Sequence, residues 1–327
     1  MSAKSRKLGR SGIEVSAVGF GCWAIGGPFT AGGKPAGWGA VDDDESVAAI
    51  HRALALGVTF FDTADVYGTG HSERVLARAL AGRRDDVVLA TKFGNTFDPT
   101  TRELTGTDVS DAYVRSACDA SLERLGTDRI DLYQLHVGDL AADRVDDLLA
   151  TLEALVDAGK IRAYGWSTDD PTRAAAFAAG EHCTAVQHQL NVLDDAPEML
   201  VACAEHDLAS VNRGPLAMGL LSGRYSAETT LGMDDVRGDS PDWMRYFTDG
   251  RPDPEWLGRV ASVRDVLTSD GRTLAQGALG WILARHGATV PIPGCRTVTQ
   301  AEDNAGVLAA GPLSPGAMAE IAGLLCA

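Results

Sequence analysis

Apolar and polar positions along this chain repeat a two-part form: a short β-branched or apolar run, then a longer stretch with helical spacing. The short runs are VSAVGFG (15–21), VTFFD (58–62), VVLAT (87–91), IDLYQLH (130–136), IRAYGWS (161–167), TAVQH (184–188), LASVN (208–212) and ATVPIP (288–293). Their length and composition predict strands. Between the first two, DDDESVAAIHRALALG (42–57) starts acidic, places apolar side chains at 47, 50 and 54, and stops at Gly57, which predicts a helix. Residues 110–126 and 143–159 repeat the polar start, apolar stripe and glycine stop, and Pro171 suits the first turn of the next helix. Eight strands, each followed by a helix, predict an α/β fold: a single (β/α)8 TIM barrel over 1–327, with extra helices and long loops at its C-terminal face. The alternative is a doubly wound open sheet, because Gly19-Phe20-Gly21-Cys22-Trp23-Ala24 fits a dinucleotide fingerprint after a strand. The context disfavours it: IGGPFTAGGKPAGWG (25–39) follows, too rich in Gly and Pro to open a helix.

Composition narrows the partners. The chain has 327 residues, 45% apolar and 23% charged, with a net charge of −16, an ordinary globular balance whose acidity argues against nucleic acid or an anionic membrane as partner. No run of apolar residues reaches the length of a membrane span, and MSAKSRKLGRSGIEVS lacks the apolar segment of a signal peptide. Six cysteines, at 22, 118, 183, 203, 295 and 326, include no CxxC pair, and Cys203/His206 stands alone as a CxxH. Free thiols in a cytoplasmic protein without a structural metal are expected.

In a parallel barrel the active site lies where the strands end. Asp62 ends the second predicted strand, Lys92 follows the third, His136 ends the fourth and Ser167 the fifth; Gln187 sits near the end of the sixth, Arg213 follows the seventh and Gly294 the eighth. Each polar residue alone has a plain explanation as a cap, a solvated tip or a satisfied core group. Taken together they converge on one face. Lys92 is one of only five lysines, at 4, 7, 34, 92 and 160, and a compact ammonium acts differently from guanidinium. The chemistry that fits is proton donation by Tyr67. A nearby ammonium is expected to lower the phenol pKa from about 10, and a carboxylate, Asp62, to keep that ammonium charged. His136 is placed to hold a substrate oxygen. GWSTD (165–169) is not a GxSxG elbow.

DTADVYG (62–68), TKFG (91–94) and LH (135–136), in this order on an eight-stranded barrel, resemble the aldo-keto reductase superfamily. The resemblance runs from LGRSGIEVSAVGFG (8–21) to PIPGCRTVTQAEDNAG (291–306). It implies a catalytic tetrad of Asp62, Tyr67, Lys92 and His136, and NADPH/NADP bound across the barrel mouth. By the same resemblance Cys22, Trp23 and Asp62 lie near the nicotinamide, and Ser167, Thr168 and Gln187 near its carboxamide. Arg213, Gly214, Pro215, Leu216, Ala217, Gly219 and Arg224 match the loop beside the ring and pyrophosphate. Gly294, Arg296, Gln300, Asp303 and Asn304 match the adenosine end, where a guanidinium suits a 2′-phosphate. The chain departs from the commoner pattern at Thr168, Leu190, Val137 and Arg213. A cation at 213, where an aromatic ring is frequent, is expected to favour NADPH over NADP⁺.

Three long segments, 26–39, 94–108 and 227–254, are expected to shape the substrate pocket, with Phe29, Trp38, Trp243, Tyr246 and Phe247 as candidate walls. The activity this implies is NADPH-dependent reduction of an aldehyde or ketone, the partner being a small carbonyl compound or sugar. A sugar dehydrogenase running oxidatively on the same residues remains open, as does a cofactor-sensing regulatory subunit. A barrel hydrolase lacks the metal or paired-carboxylate site it needs. Substrate, direction of flux and oligomeric state are not legible.

Overall fold

Eight parallel strands form one sheet in sequential order. They are β1 (Phe20–Gly21), β2 (Phe60–Asp62), β3 (Val88–Phe93), β4 (Ile130–Leu135), β5 (Ile161–Ser167), β6 (Cys183–Gln189), β7 (Ala209–Arg213) and β8 (Thr289–Pro291). The sheet closes on itself. Gly19 N donates to Pro291 O at 2.9 Å and Gly21 N to Pro293 O at 3.0 Å, and Gly21 bridges Gly294 in parallel register. This computed structural model describes residues 4–239, 241 and 243–326; the first three residues of the N-terminal segment read above lie outside it. The predicted (β/α)8 barrel is therefore the observed one, and the open sheet is not.

The helices follow their local signals. α1 (Asp43–Ala55) begins after Asp42, whose carboxylate accepts from the Asp44 and Glu45 amides, as an N-cap should. After α2 (His71–Ala79) comes α3 (Asp111–Leu125), capped by Ser110 and ended by Gly126 in the left-handed region. α4 (Val145–Asp157) and α5 (Pro171–Phe177) follow, the latter with Pro at its first turn and Asp170 as cap. α6 (Pro197–Glu205), α7 (Pro254–Leu267), α8 (Leu274–Arg285) and α9 (Val298–Ala305) continue the ring, and α10 (Val307–Ala310) and α11 (Pro315–Cys326) are additional.

Side-chain alternation divides each strand into two faces. Outward residues such as Phe61, Leu89, Tyr133 and Val186 pack against the helices in the largest apolar cluster. Inward residues Phe60, Val88, Ala90, Leu132, Ala163, Ala185 and Val211 fill the barrel. Two expectations need correction. The run 15–21 is not one barrel strand: Glu14–Ser16 pairs antiparallel with Ser5–Lys7, and this hairpin carries Leu8, Ile13 and Val15 into the barrel's apolar filling. Nor are 26–39 and 94–108 plain loops. Thr30–Ala31, Lys34–Pro35, Asn95–Asp98 and Glu103–Thr107 form a separate four-stranded sheet.

Candidate active site

Two residues beyond each of four inward apolar positions stands a polar one. Phe60 leads to Asp62, Ala90 to Lys92, Leu132 to Gln134 and Ala185 to Gln187. Period-two geometry therefore stacks a buried polar layer directly on the apolar filling, at the strands' C-terminal ends. Lys92 Nζ donates to Asp62 Oδ1 at 2.5 Å, to the Thr63 carbonyl at 2.7 Å and to Tyr67 Oη at 3.4 Å. Asp62 Oδ2 accepts from Gln134 Nε2 at 2.9 Å and Gln187 Nε2 at 2.8 Å. A buried ion pair endures only when its remaining hydrogen-bonding capacity is met, and here both partners meet it. Gln134 escaped the sequence reading. Counting two residues on from Leu132 was the signal that could have found it.

Tyr67 reaches this layer from a tight turn after β2. Gly68 has φ +60°, and a Cβ there would lie 1.8 Å from the Gly26 carbonyl, so the turn can close only on glycine. The Tyr67 ring lies 6.1 Å from Trp23 at 25° and meets His136 edge-on at 5.8 Å. His136 is anchored by its own amide, which donates to the Phe93 carbonyl at 2.8 Å. Its Nδ1 is buried with no hydrogen-bond partner.

The charges do not balance as the sequence reading expected. Burial pushes the Tyr67 phenol above its ordinary pKa of 10.0; Lys92 pulls it down and Asp62 pushes it up, and burial prevails. In the resting protein Tyr67 is thus firmly protonated rather than poised to ionise. Burial disfavours the Lys92 ammonium, but Asp62 and Tyr67 more than offset this and raise its pKa above 10.5. Burial, then Lys92 and Arg213, holds His136 well below the usual histidine range, so its imidazole is neutral.

A cavity of about 1110 Å³ opens above this layer and runs across the barrel mouth. That exceeds the roughly 300–1,000 Å³ typical of a site for one small molecule. Asp62, Tyr67 and His136 line it, with Cys22 and Trp23. So do Ser167, Gln187, Arg213, Gly214, Pro215 and Leu216. Gly219, Arg224, Gly294, Arg296, Gln300, Asp303 and Asn304 contribute to the same wall. Lys92 lies behind Tyr67. Thr168 and Ala217 are buried off the cavity wall; the Thr168 amide donates to the Gln187 carbonyl at 2.9 Å. Arg213 forms an ion pair with Asp169 and donates to Gln189 Oε1 at 3.2 Å. The Arg296 amide donates to Gln300 Oε1 at 2.7 Å, while its Nη1 donates to the Trp38 carbonyl at 3.0 Å.

Two aromatic residues of the long segments, Trp38 and Trp243, gather around Trp23, the neighbour of Tyr67, whereas Phe247 is buried off the cavity wall against Tyr225. Trp23 contacts Trp38 edge-on at 5.2 Å and Trp243 at 6.3 Å, and Trp243 is 55% exposed. Tyr246 is buried, its hydroxyl accepting from Asn191 Nδ2 at 2.9 Å and Gln189 Nε2 at 3.1 Å. Among the described residues no His, Cys, Asp or Glu cluster could hold a metal, and no helix is long and apolar enough to cross a membrane. All six cysteines are free thiols, five of them buried.

A buried carboxylate, ammonium, phenol and imidazole meet at the mouth of this barrel, and known proteins share the fold. The aldo/keto reductase family model matches residues 17–325. The NADP(+) aldo-keto reductase yakc of Schizosaccharomyces pombe is 32% identical over 317 residues, covering 94% of this chain and 87% of that protein. Among solved structures, aldo-keto reductase AKR11C1 of Bacillus halodurans (holo form) is 31% identical with a TM-score of 0.79, covering 98% of this chain and 96% of that one. Glycerol dehydrogenase AKR11B4 of Gluconobacter oxydans is 28% identical with a TM-score of 0.84, covering 100% and 96%. The chain belongs to the aldo/keto reductase family.

Proposed function

We propose that the protein is an NADPH-dependent oxidoreductase that reduces aldehydes or ketones to alcohols, with Tyr67 as proton donor. The observation that carries this is the hydrogen-bonded line from Asp62 through Lys92 to Tyr67, at the floor of the cavity with neutral His136 alongside. The cofactor fits the residues present. The cavity is larger than a typical site for one small molecule, and guanidinium groups at 213, 224 and 296 line it, as phosphate recognition requires. A relative from Klebsiella pneumoniae, 27% identical with a TM-score of 0.71, is solved with NADP and acetate. Arg296 and Gln300 are assigned to the 2′-phosphate end, and Ser167 and Gln187 to the carboxamide. The Gln187 amide nitrogen is already committed to Asp62.

NADPH, when bound, would supply the hydride that the carbonyl carbon takes up. The protein's own residues handle the oxygen. Tyr67 keeps its proton until negative charge develops there, then releases it; Lys92, held charged by Asp62, stabilises the phenolate left behind. Neutral His136 can donate a hydrogen bond to the same oxygen without competing as an acid. The likeness to a glycerol dehydrogenase favours a second reading, oxidation of a polyol on the same residues, which rates measured in both directions distinguish.

The test is NADPH oxidation followed optically against a panel of aldehydes, ketones and sugars, for the wild type and Tyr67→Phe. Turnover with at least one class is expected. The variant should lose about 10²-fold or more of it, while NADPH still quenches tryptophan fluorescence. Full activity in Tyr67→Phe would exclude this assignment.

A further inference from the structure

Behind the tetrad lies a second group of buried charges that the reaction does not use. Asp65, two residues before Tyr67 in the same turn, is 2% exposed, and Glu73 on α2 is fully buried. Glu73 is well provided for. Its Oε1 accepts from Thr91 Oγ1 at 2.7 Å and its Oε2 from Arg124 Nε at 2.5 Å. Asp65 differs: it forms no ion pair among the described residues, and its Oδ1 is buried with no hydrogen-bond partner. Its backbone is tied to the tetrad, the Asp65 amide donating to the Lys92 carbonyl at 3.4 Å.

Three carboxyl groups, Asp62, Asp65 and Glu73, thus share this region with two cations, each already matched: Lys92 with Asp62 and Arg124 with Glu73. A third, unmatched negative charge in a buried pocket is costly. We propose that Asp65 is carried as a neutral carboxylic acid, a positioning residue whose bound proton leaves the Lys92 ammonium to Asp62 and Tyr67 alone. The inference rests on the proposed roles of Tyr67 and Lys92.

The groups facing Asp65 come from α2, α3, β3 and β4. Burial pushes its carboxyl far up and Glu73 from α2 adds to it; Arg124 from α3, the Val66 amide and Lys92 from β3 oppose this and do not prevail. Tyr113 from α3 and Tyr133 from β4 also feel Asp65, and both phenols are themselves driven upward, chiefly by burial. An ionised Asp65 would draw on the Lys92 charge that Tyr67 needs when its phenolate forms.

The first measurement needs no substrate, so it stands even if no carbonyl compound is turned over. Infrared spectra of protein labelled at the aspartate side-chain carboxyl are recorded at about pH 8, far above the ordinary aspartate pKa of about 3.9. A protonated-carboxyl band is expected in the wild type and absent from Asp65→Asn. No such band in the wild type overturns the proposal, and so does a band that survives in the variant. If Asp65→Asn does not fold, the wild-type spectrum alone decides.

Two further readouts use the variant. The amide of Asn matches a neutral acid in shape and polarity, so the Tm of Asp65→Asn at pH 8 should not fall below that of the wild type, whereas Glu73→Gln, which strands Arg124, should lower it. Equal losses contradict the proposal. Stability gives a sign. Above about pH 3.9 the folded chain keeps a proton that the unfolded chain releases, so wild-type stability falls as pH rises, a slope Asp65→Asn lacks. The Tm advantage of Asp65→Asn should therefore grow from about pH 4 to pH 8; a pH-independent difference counts against the idea.

Discussion

Arg213 shows how a neighbour changes what a residue means. Its charge alone predicts that the site favours NADPH over NADP⁺. The structure supplies a counter-ion, Asp169, and both side chains are about half exposed, at 41% and 55%. Exposed pairs of this kind contribute about 0–1 kcal/mol, so the carboxylate masks part of the effect. Fluorescence titration should find the NADPH preference narrowed in Arg213→Tyr and widened in Asp169→Asn. Identical ratios of the two dissociation constants in all three proteins would remove Arg213 from the account. Other single residues were readable only in part. DTADVYG marked Tyr67 and Asp62 as a pair, but not that burial would outweigh Lys92 and leave the phenol a weaker acid at rest. That outcome depends on depth in the fold, which residue identity does not encode.

The long segments at the barrel mouth depend on one another. Arg237 sits 4% exposed in the β7–α7 segment. Its Nη2 donates to Asp235 Oδ2 at 2.7 Å and its Nε to Oδ1 at 2.9 Å, while its guanidinium lies 4.4 Å from the Trp38 ring centroid. Alongside, the Val236 amide donates to the Gly37 carbonyl at 2.8 Å. The segment after β7 is thus fastened to the one after β1, which also holds the Arg296 side chain through the Trp38 carbonyl. Arg237→Gln leaves Asp235 buried without its cation, at a cost of about 3–5 kcal/mol. We expect a lower Tm and a higher Kd for NADPH, read by thermal melt and fluorescence titration; a lower Tm with unchanged NADPH affinity would separate the fastening from the cofactor. Helix ends such as Asp42, Ser110 and Gly126 were legible because caps are local. The four-stranded sheet at the mouth was not, because Thr30 pairs with Glu103 and no local periodicity records a partner that far along the chain. The 15–21 run misled for a related reason. A Cβ at Gly19 would lie 2.8 Å from the Phe60 ring, so the chain threads from hairpin to barrel through a gap that only a glycine fits.

Closure of the barrel converts separated stretches of sequence into one site. β2, β3, β4 and β6 each deliver one inward polar side chain to a single hydrogen-bonded cluster, over an apolar filling sealed by the N-terminal hairpin. Strand count and strand-end chemistry were enough to name Asp62, Lys92 and Gln187 in that layer, but not Gln134, which alternation would have given. Its cross-connections, Gln134 and Gln187 on Asp62, become visible only with the strands side by side. The central claim is that Lys92, kept charged by Asp62, makes proton release from Tyr67 possible. Single-turnover NADPH oxidation by Lys92→Met, in protein shown by fluorescence to bind NADPH as tightly as the wild type, tests it most directly. The account predicts a rate lower by about 10²–10⁴-fold; a rate within about tenfold of the wild type would contradict it.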